Sequence, residues 1–215
     1  MTVITHAVRS APDPARASSP VLLLLHGFGS HEQDLVGLVP HLDTRLPWAS
    51  LRAPLPAGAG AAWFPIVKPG SPDEAPVVEA TDAIWAWVDA QLGADAAVIP
   101  LGFSQGGLMA SQLLRTRPDR VPAAVVLGGF VLGAAQPGDE TLGETRPPVF
   151  WGRGAEDLVI APHAIERTAA FLPVHAALEE RVYPGLAHGI DAAELADVRS
   201  FLARAVEGAA ESATA

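Results

Sequence analysis

The stretch "LGFSQGGLMA", Leu101 to Ala110, sets one serine between two glycines directly after an apolar run. A serine hydroxyl is a poor nucleophile at neutral pH and becomes a good one only beside a base that is itself held by an acid. The pattern Gly102-Phe103-Ser104-Gln105-Gly106 then has a mechanical reason. A strand that turns sharply into a helix at the serine strains the backbone and leaves no room for side chains two residues to either side. It also aims the helix's free N–H groups at whatever the oxygen attacks. The competing reading is a glycine-rich turn that binds phosphate and uses the serine as a helix cap, but no Gly-Lys-Ser/Thr signature follows.

On a strand-helix sheet the partners of such a serine come later in the chain, acid first and histidine second. Three histidines lie downstream. His163 follows Pro162 in the first turn of a helix, His175 precedes a strand, and His188 lies in the loop "YPGLAHGID" between the last strand and the last helix, which favours His188. The acid is expected after the strand "PPVFWG", where "GRGAEDLVIAP" offers Glu156 and Asp157 side by side. Asp157 is preferred, because the apolar Leu-Val-Ile run after it would anchor the turn and hold its carboxylate inward, with Glu156 turned to solvent.

Developing negative charge needs two N–H donors. One is the backbone of Gln105; the other should come from the loop "HGFGS" after the run "VLLLL", where Gly27 and Gly29 allow a tight turn and make Phe28 the natural donor. His26 reads as a structural residue that hydrogen-bonds this loop. His6, His31 and His41 have neither a matching acid nor metal-ligand spacing.

The elements that must position these groups read as an α/β fold. Four compact apolar runs, "VLLLL" at 21–25, "AAVIPLGF" at 96–103, "AAVVLGG" at 123–129 and "PPVFWG" at 147–152, are each bounded by Gly or Pro, as buried parallel strands are. A fifth strand is "LEERVY". Helical patterns fall between them at 34–42, 77–92, 106–117, 162–172 and 192–206. This alternation predicts a mostly parallel, doubly wound sheet with helices on both faces, in a single domain over 1–215. Residues 1–19 are expected to be an N-terminal extension or edge strand and 208–215 a frayed tail. Residues 53–76 carry Pro54, Pro56, Pro65, Pro69, Pro72 and Pro76, which predicts an ordered loop or small flap near the site.

Composition narrows the partners. With 24 acidic against 14 basic residues the formal charge is -10, which repels nucleic acid and anionic membranes. The chain has no cysteine, so any nucleophile is an oxygen or nitrogen. No stretch reads as a signal peptide or a membrane span, which predicts a cytoplasmic protein. No heptad or exposed apolar stripe reads as an oligomer interface, and a homodimer stays open.

Taken together, these motifs resemble the phospholipase/carboxylesterase family of α/β-hydrolases, which also holds the acyl-protein thioesterases. "LLLHGFGSHEQDL", "LRAP", "WF", "GFSQGG", "GRGAEDLVI" and "YPGLAHGI" run in the family's order from about residue 20 to 205. The chain is most similar to the short bacterial carboxylesterase members. Two departures stand out: Trp63-Phe64 is followed by Pro65 where many thioesterase members carry Asp, and Leu127-Gly128-Gly129 replaces a common Ser-Gly pair. The resemblance implies a triad of Ser104, Asp157 and His188, oxyanion donors at Phe28 and Gln105, no large cap domain, and no metal or organic cofactor. The expected reaction is hydrolysis of a small-molecule acyl ester. Thioesterase or lysophospholipase activity on the same triad, and a non-catalytic binding role for the fold, are the alternatives.

The substrate groove is expected to be open, walled by Trp63, Phe64, Ile66, Phe130 and Leu132, and suited to short or medium acyl chains. The same side chains would serve equally well as core. Trp85 and Trp87 are assigned to helix packing.

Overall fold

The computed structural model describes residues 2–11 and 19–212. Its centre is a seven-stranded sheet built from β1 (Ala7–Arg9), β2 (Val21–Leu25), β3 (Trp48–Leu51), β6 (Val98–Phe103), β7 (Ala124–Leu127), β8 (Pro148–Gly154) and β9 (Ala177–Tyr183). The spatial order is β1-β3-β2-β6-β7-β8-β9, parallel throughout except for β1, which runs antiparallel along β3. Two further strands, β4 (Leu55–Ala57) and β5 (Gly60–Ala62), pair as a separate hairpin.

The apolar runs sit inside because both faces of the sheet are covered. Successive side chains of a strand point to opposite faces. In β2, Leu23 and Leu25 enter one core with Val126, Val149 and Trp151, while Leu22 and Leu24 enter the other with Ile99, Val125 and Phe150. The first core is closed by α2 (Glu74–Gln91), α3 (Gln105–Thr116), α4 (Asp139–Thr145) and α5 (Pro162–His175), through Ile84, Trp85, Met109, Leu113, Leu142 and Leu172. The second is closed by α1 (Val39–Leu42) and α6 (Ala192–Ser212), through Leu42, Val198 and Phe201. Fully burying one such side chain contributes about 1.5–3 kcal/mol. The edge strand β9 carries Glu179, Glu180 and Arg181, charges that discourage pairing with another sheet.

Several boundaries differ from the sequence reading. The helix expected at 34–42 is a short 3-10 turn, Leu35–Leu38, followed by α1. Strand β3 and helix α4 have no counterpart in that reading. α2 begins at Glu74, inside the segment expected to be irregular, because Pro76 falls in the first helical turn, where its missing N–H has no carbonyl to meet. The same proline-rich segment holds the β4–β5 hairpin, where Pro56 lies on a short edge strand opposite Ala61, whose own N–H and C=O bond Ser30 and Gly29, so the missing proline N–H costs no ladder bond. α6 continues through Ser212 into the tail expected to fray, whose last residues, 213–215, lie outside those described, as do 12–18 of the N-terminal extension.

The chain runs from β2 to β3 on one side and then returns to β6 on the other, so the strand order reverses between β2 and β6. In such sheets the crevice opens beyond the carboxyl ends of the strands at that reversal. The loops after Leu25 and after Phe103 flank it.

Candidate active site

Ser104 joins β6 to α3 with φ 56° and ψ -115°, a left-handed backbone that a non-glycine residue adopts only under constraint. Its side chain makes no cap bond to the helix, which removes the reading of the serine as an N-cap. A Cβ on Gly102 would lie 1.9 Å from the Gly106 carbonyl oxygen, and one on Gly106 would lie 1.9 Å from that of Leu25. Both glycines are therefore required by backbone crossing backbone. The Ser104 N–H donates to the Leu127 carbonyl at 2.8 Å, and its carbonyl accepts from Gly107 at 3.0 Å, which pins the turn from both sides.

The structure brings the three sequence-selected side chains into one hydrogen-bonded row. His188 Nε2 is 2.9 Å from Ser104 Oγ, and His188 Nδ1 is 2.7 Å from Asp157 Oδ2. The Asp157 side chain is only 2% exposed, and its other oxygen accepts N–H bonds from Val159 at 2.9 Å and Ile160 at 3.1 Å. Bound in this way the carboxylate fixes the tautomer, Nδ1–H donating to Asp157, and leaves Nε2 free to accept the serine proton. The imidazole also lies against the Phe103 ring, 4.8 Å between centroids. Gly128 faces His188, and its φ of +51° is a backbone conformation that side-chain-bearing residues rarely adopt, which suits glycine at this point of Leu127-Gly128-Gly129.

The turn after Asp157 is held differently from expectation. Leu158 is 97% exposed and Val159 is also exposed, so the apolar run does not anchor it; backbone N–H groups grip the carboxylate and only Ile160 packs inward. Glu156 is exposed, as expected. His163 and His175 lie elsewhere, the first bonded to Ser71 Oγ at 3.0 Å and the second to the Phe171 carbonyl at 2.9 Å.

Above Ser104, the N–H of Phe28 has no hydrogen-bond partner among the described residues. Gln105 opens α3 and has no helical carbonyl four residues back to take its N–H. The Phe28 loop is held by the hairpin: Gly29 N–H donates to Ala61 O at 2.8 Å and Ala61 N–H to Ser30 O at 2.8 Å. His26 is fully buried and structural. Its Nε2 accepts from the Ala53 N–H at 3.1 Å, so Nδ1 donates to the Gly27 carbonyl at 2.7 Å, and burial pushes its pKa below the ordinary value.

An apolar pocket of about 160 Å³ begins at Ser104. Phe64, Ile66 and Phe130 line it as expected, joined by the Phe28 ring and Ile160. Trp63 and Leu132 do not. Trp63 is 1% exposed, its indole N–H donating to the His26 carbonyl at 2.8 Å, and Leu132 is buried in the core against the helices, so neither reaches a substrate. Trp85 is core, as expected, and its N–H meets Thr116 Oγ1 at 3.0 Å. Sequence reasoning missed the side chain of Gln105, which is buried and binds the backbone of both Trp63 and Phe64. It also missed Lys68 on the pocket wall, although "KPGS" carries a turn signal. Among the described residues no cluster of His, Asp and Glu is arranged to hold a metal ion, and no helix is long and apolar enough to cross a membrane.

Known proteins resemble this chain in sequence and in fold. The family model described as phospholipase/carboxylesterase matches residues 6–206. Carboxylesterase SOBER1 of Arabidopsis thaliana is 28% identical over 157 residues, covering 68% of this chain and 69% of that protein. The Bacillus cereus carboxylesterase structure superposes with a TM-score of 0.78 at 22% identity over 93% of both chains. A carboxylesterase structure from Mesorhizobium loti superposes at 0.70 with 24% identity, over 86% of this chain and 88% of its own. The match of the family model over nearly the whole chain places this protein in the phospholipase/carboxylesterase family, as a carboxylesterase-type hydrolase of the α/β-hydrolase fold.

Proposed function

We propose that the chain hydrolyses carboxylic esters of short to medium acyl chains through an acyl-serine intermediate, with Ser104 as nucleophile, His188 as general base and acid, and Asp157 as its partner. The observation that carries this reading is the row Ser104 Oγ, His188 Nε2 and Nδ1, Asp157 Oδ2, closed by hydrogen bonds of 2.9 and 2.7 Å at a strained serine. His188 takes the hydroxyl proton as Oγ attacks the ester carbonyl. The Phe28 and Gln105 N–H groups receive the oxyanion, and His188 then protonates the departing alcohol. Water enters by the reverse of these steps and releases the acid, restoring Ser104. Asp157 keeps the imidazole in the tautomer that this requires and stabilises its cation.

The acyl part is assigned to the pocket of Phe28, Phe64, Ile66, Phe130 and Ile160, whose size suits chains well short of a membrane lipid. The test is hydrolysis of p-nitrophenyl esters from acetate to palmitate at pH 8, wild type beside Ser104→Ala. Cleavage of the short and medium esters by wild type, lost by roughly 10⁴-fold in the variant, is expected. Equal rates for both proteins would overturn the assignment of Ser104.

A further inference from the structure

The pocket that begins at Ser104 is lined by neutral side chains with one exception, Lys68. It is the one lysine of the whole chain. Arg52, Arg115, Arg117, Arg120 and Arg153 each meet a carboxylate. Lys68, among the described residues, has no ion-pair partner.

Its backbone is fixed although its side chain is exposed. The Ser71 N–H donates to the Lys68 carbonyl at 3.1 Å, with Pro69 at the second position and Gly70, φ +71°, at the third, as in a type II turn. This turn rests on the start of α5, so closely that a Cβ on Gly70 would come within 2.7 Å of the Ala161 methyl. Two side chains of α5 tie it down. Arg167 Nη2 donates to the Gly70 carbonyl at 2.9 Å, and His163 bonds Ser71 Oγ at 3.0 Å. Arg167 Nε also donates to the Val131 carbonyl at 2.9 Å, so one guanidinium holds the turn and the segment beside Phe130 together. A cation carried on this turn, beside apolar surface and without a counter-charge, attracts an incoming anion and favours it over a neutral group. In a chain of formal charge -10 it marks the place by the serine where an anion is welcome.

We propose that Lys68 is a specificity-determining residue that selects acyl chains ending in an anionic group, of which a dicarboxylic half-ester is the simplest, over neutral chains of equal length. The inference rests on the ester-hydrolase reading of Ser104 above.

The test compares monomethyl adipate with methyl hexanoate, which share a six-carbon acyl chain and methanol as leaving group and differ in the terminal charge. Each is measured as a substrate by acid release and as a competitor of p-nitrophenyl butyrate, so that binding is read even where turnover is slow. Lys68→Ala is expected to lower the anionic-to-neutral ratio of kcat/KM or of inhibition about fivefold, through KM, and Lys68→Glu about tenfold or more, while Lys68→Arg keeps it. Added salt should erode the ratio in wild type. A ratio that is the same in wild type, Lys68→Ala and Lys68→Glu, with p-nitrophenyl butyrate still cleaved in a Ser104-dependent way, overturns the role of Lys68 and leaves the hydrolase reading intact. Failure of wild type to cleave p-nitrophenyl butyrate overturns the hydrolase reading itself, and this inference with it.

Discussion

The side-chain amide of Gln105 accepts the backbone N–H of Trp63 at 2.8 Å, and through its nitrogen it donates to the next carbonyl, that of Phe64, at 2.7 Å. One residue thus lends its backbone to the start of α3 and its side chain to the segment that walls the pocket. The primary amide supplies both the acceptor and the donor that these two main-chain groups need. Gln105→Leu keeps the bulk and leaves two buried main-chain groups unpaired, at about 1–3 kcal/mol each. The expected result is a lower urea midpoint together with a fall in kcat of about tenfold; unchanged stability would show that water replaces both bonds.

The left-handed backbone of Ser104 stores strain that a glycine would not feel. Ser104→Gly should therefore be inactive and yet more stable than Ser104→Ala, by about 1 kcal/mol. Thermal unfolding of the two variants side by side checks this, and equal stabilities would count against strain at the turn.

Asp157 holds the imidazole by one oxygen and the backbone of its own loop by the other. Asp157→Asn can still accept the Val159 and Ile160 N–H bonds, so the loop should keep its shape, but an amide nitrogen facing Nδ1 favours the wrong tautomer. A drop in kcat of about 10⁴-fold with an unchanged circular dichroism spectrum is expected. Loss of the spectrum as well would mean that Asp157 is needed first for folding.

Glu194, in the first turn of α6, is fully buried, and among the described residues neither carboxyl oxygen has a hydrogen-bond partner. It lies over β8, where Gly152 leaves it space: a Cβ there would fall 2.1 Å from Oε1. Burial, with the Asp191 and Asp197 carboxylates adding to it, pushes its pKa from 4.5 up to about 8. The folded protein therefore holds a proton that the unfolded chain gives up, and stability declines as pH rises from about 4.5 to about 8. Glu194→Gln removes that loss. Its gain in stability over wild type should be small at pH 5 and grow to a few kcal/mol at pH 9. Denaturation midpoints across this range provide the check, and parallel curves for the two proteins would rule the idea out.

The turn at Ser104 was legible because its demands are local. Gly102 and Gly106 are imposed by backbone contacts around one serine, and the alternation of apolar runs with helical patterns sets the chain order of the loops that follow. His188 could be chosen from that order without distances; Asp157 could be chosen over Glu156 only on the apolar run that follows it, which the structure leaves largely exposed. The strand β3 was not legible: Trp-Ala-Ser-Leu is short, only partly apolar, and flanked by prolines, and it is a strand because β1 and β2 hydrogen-bond to it on either side. The proline-rich segment hid both a hairpin and the first turn of α2.

Residue types and their order thus determined the fold class and the three side chains of the candidate site, since these depend on periodicity and turn chemistry within short windows. The tertiary structure alone decided which residues meet the pocket: it buries Trp63 and Leu132, exposes the Phe28 ring, and brings Lys68 to the wall. It also decided that Asp157 is gripped by N–H groups rather than by an apolar anchor. The physical reason is that a side chain's surroundings are set by what other elements pack over it, and those elements, 41 residues away for Gln105 and Phe64 and 84 for Ser104 and His188, leave no mark on the local pattern.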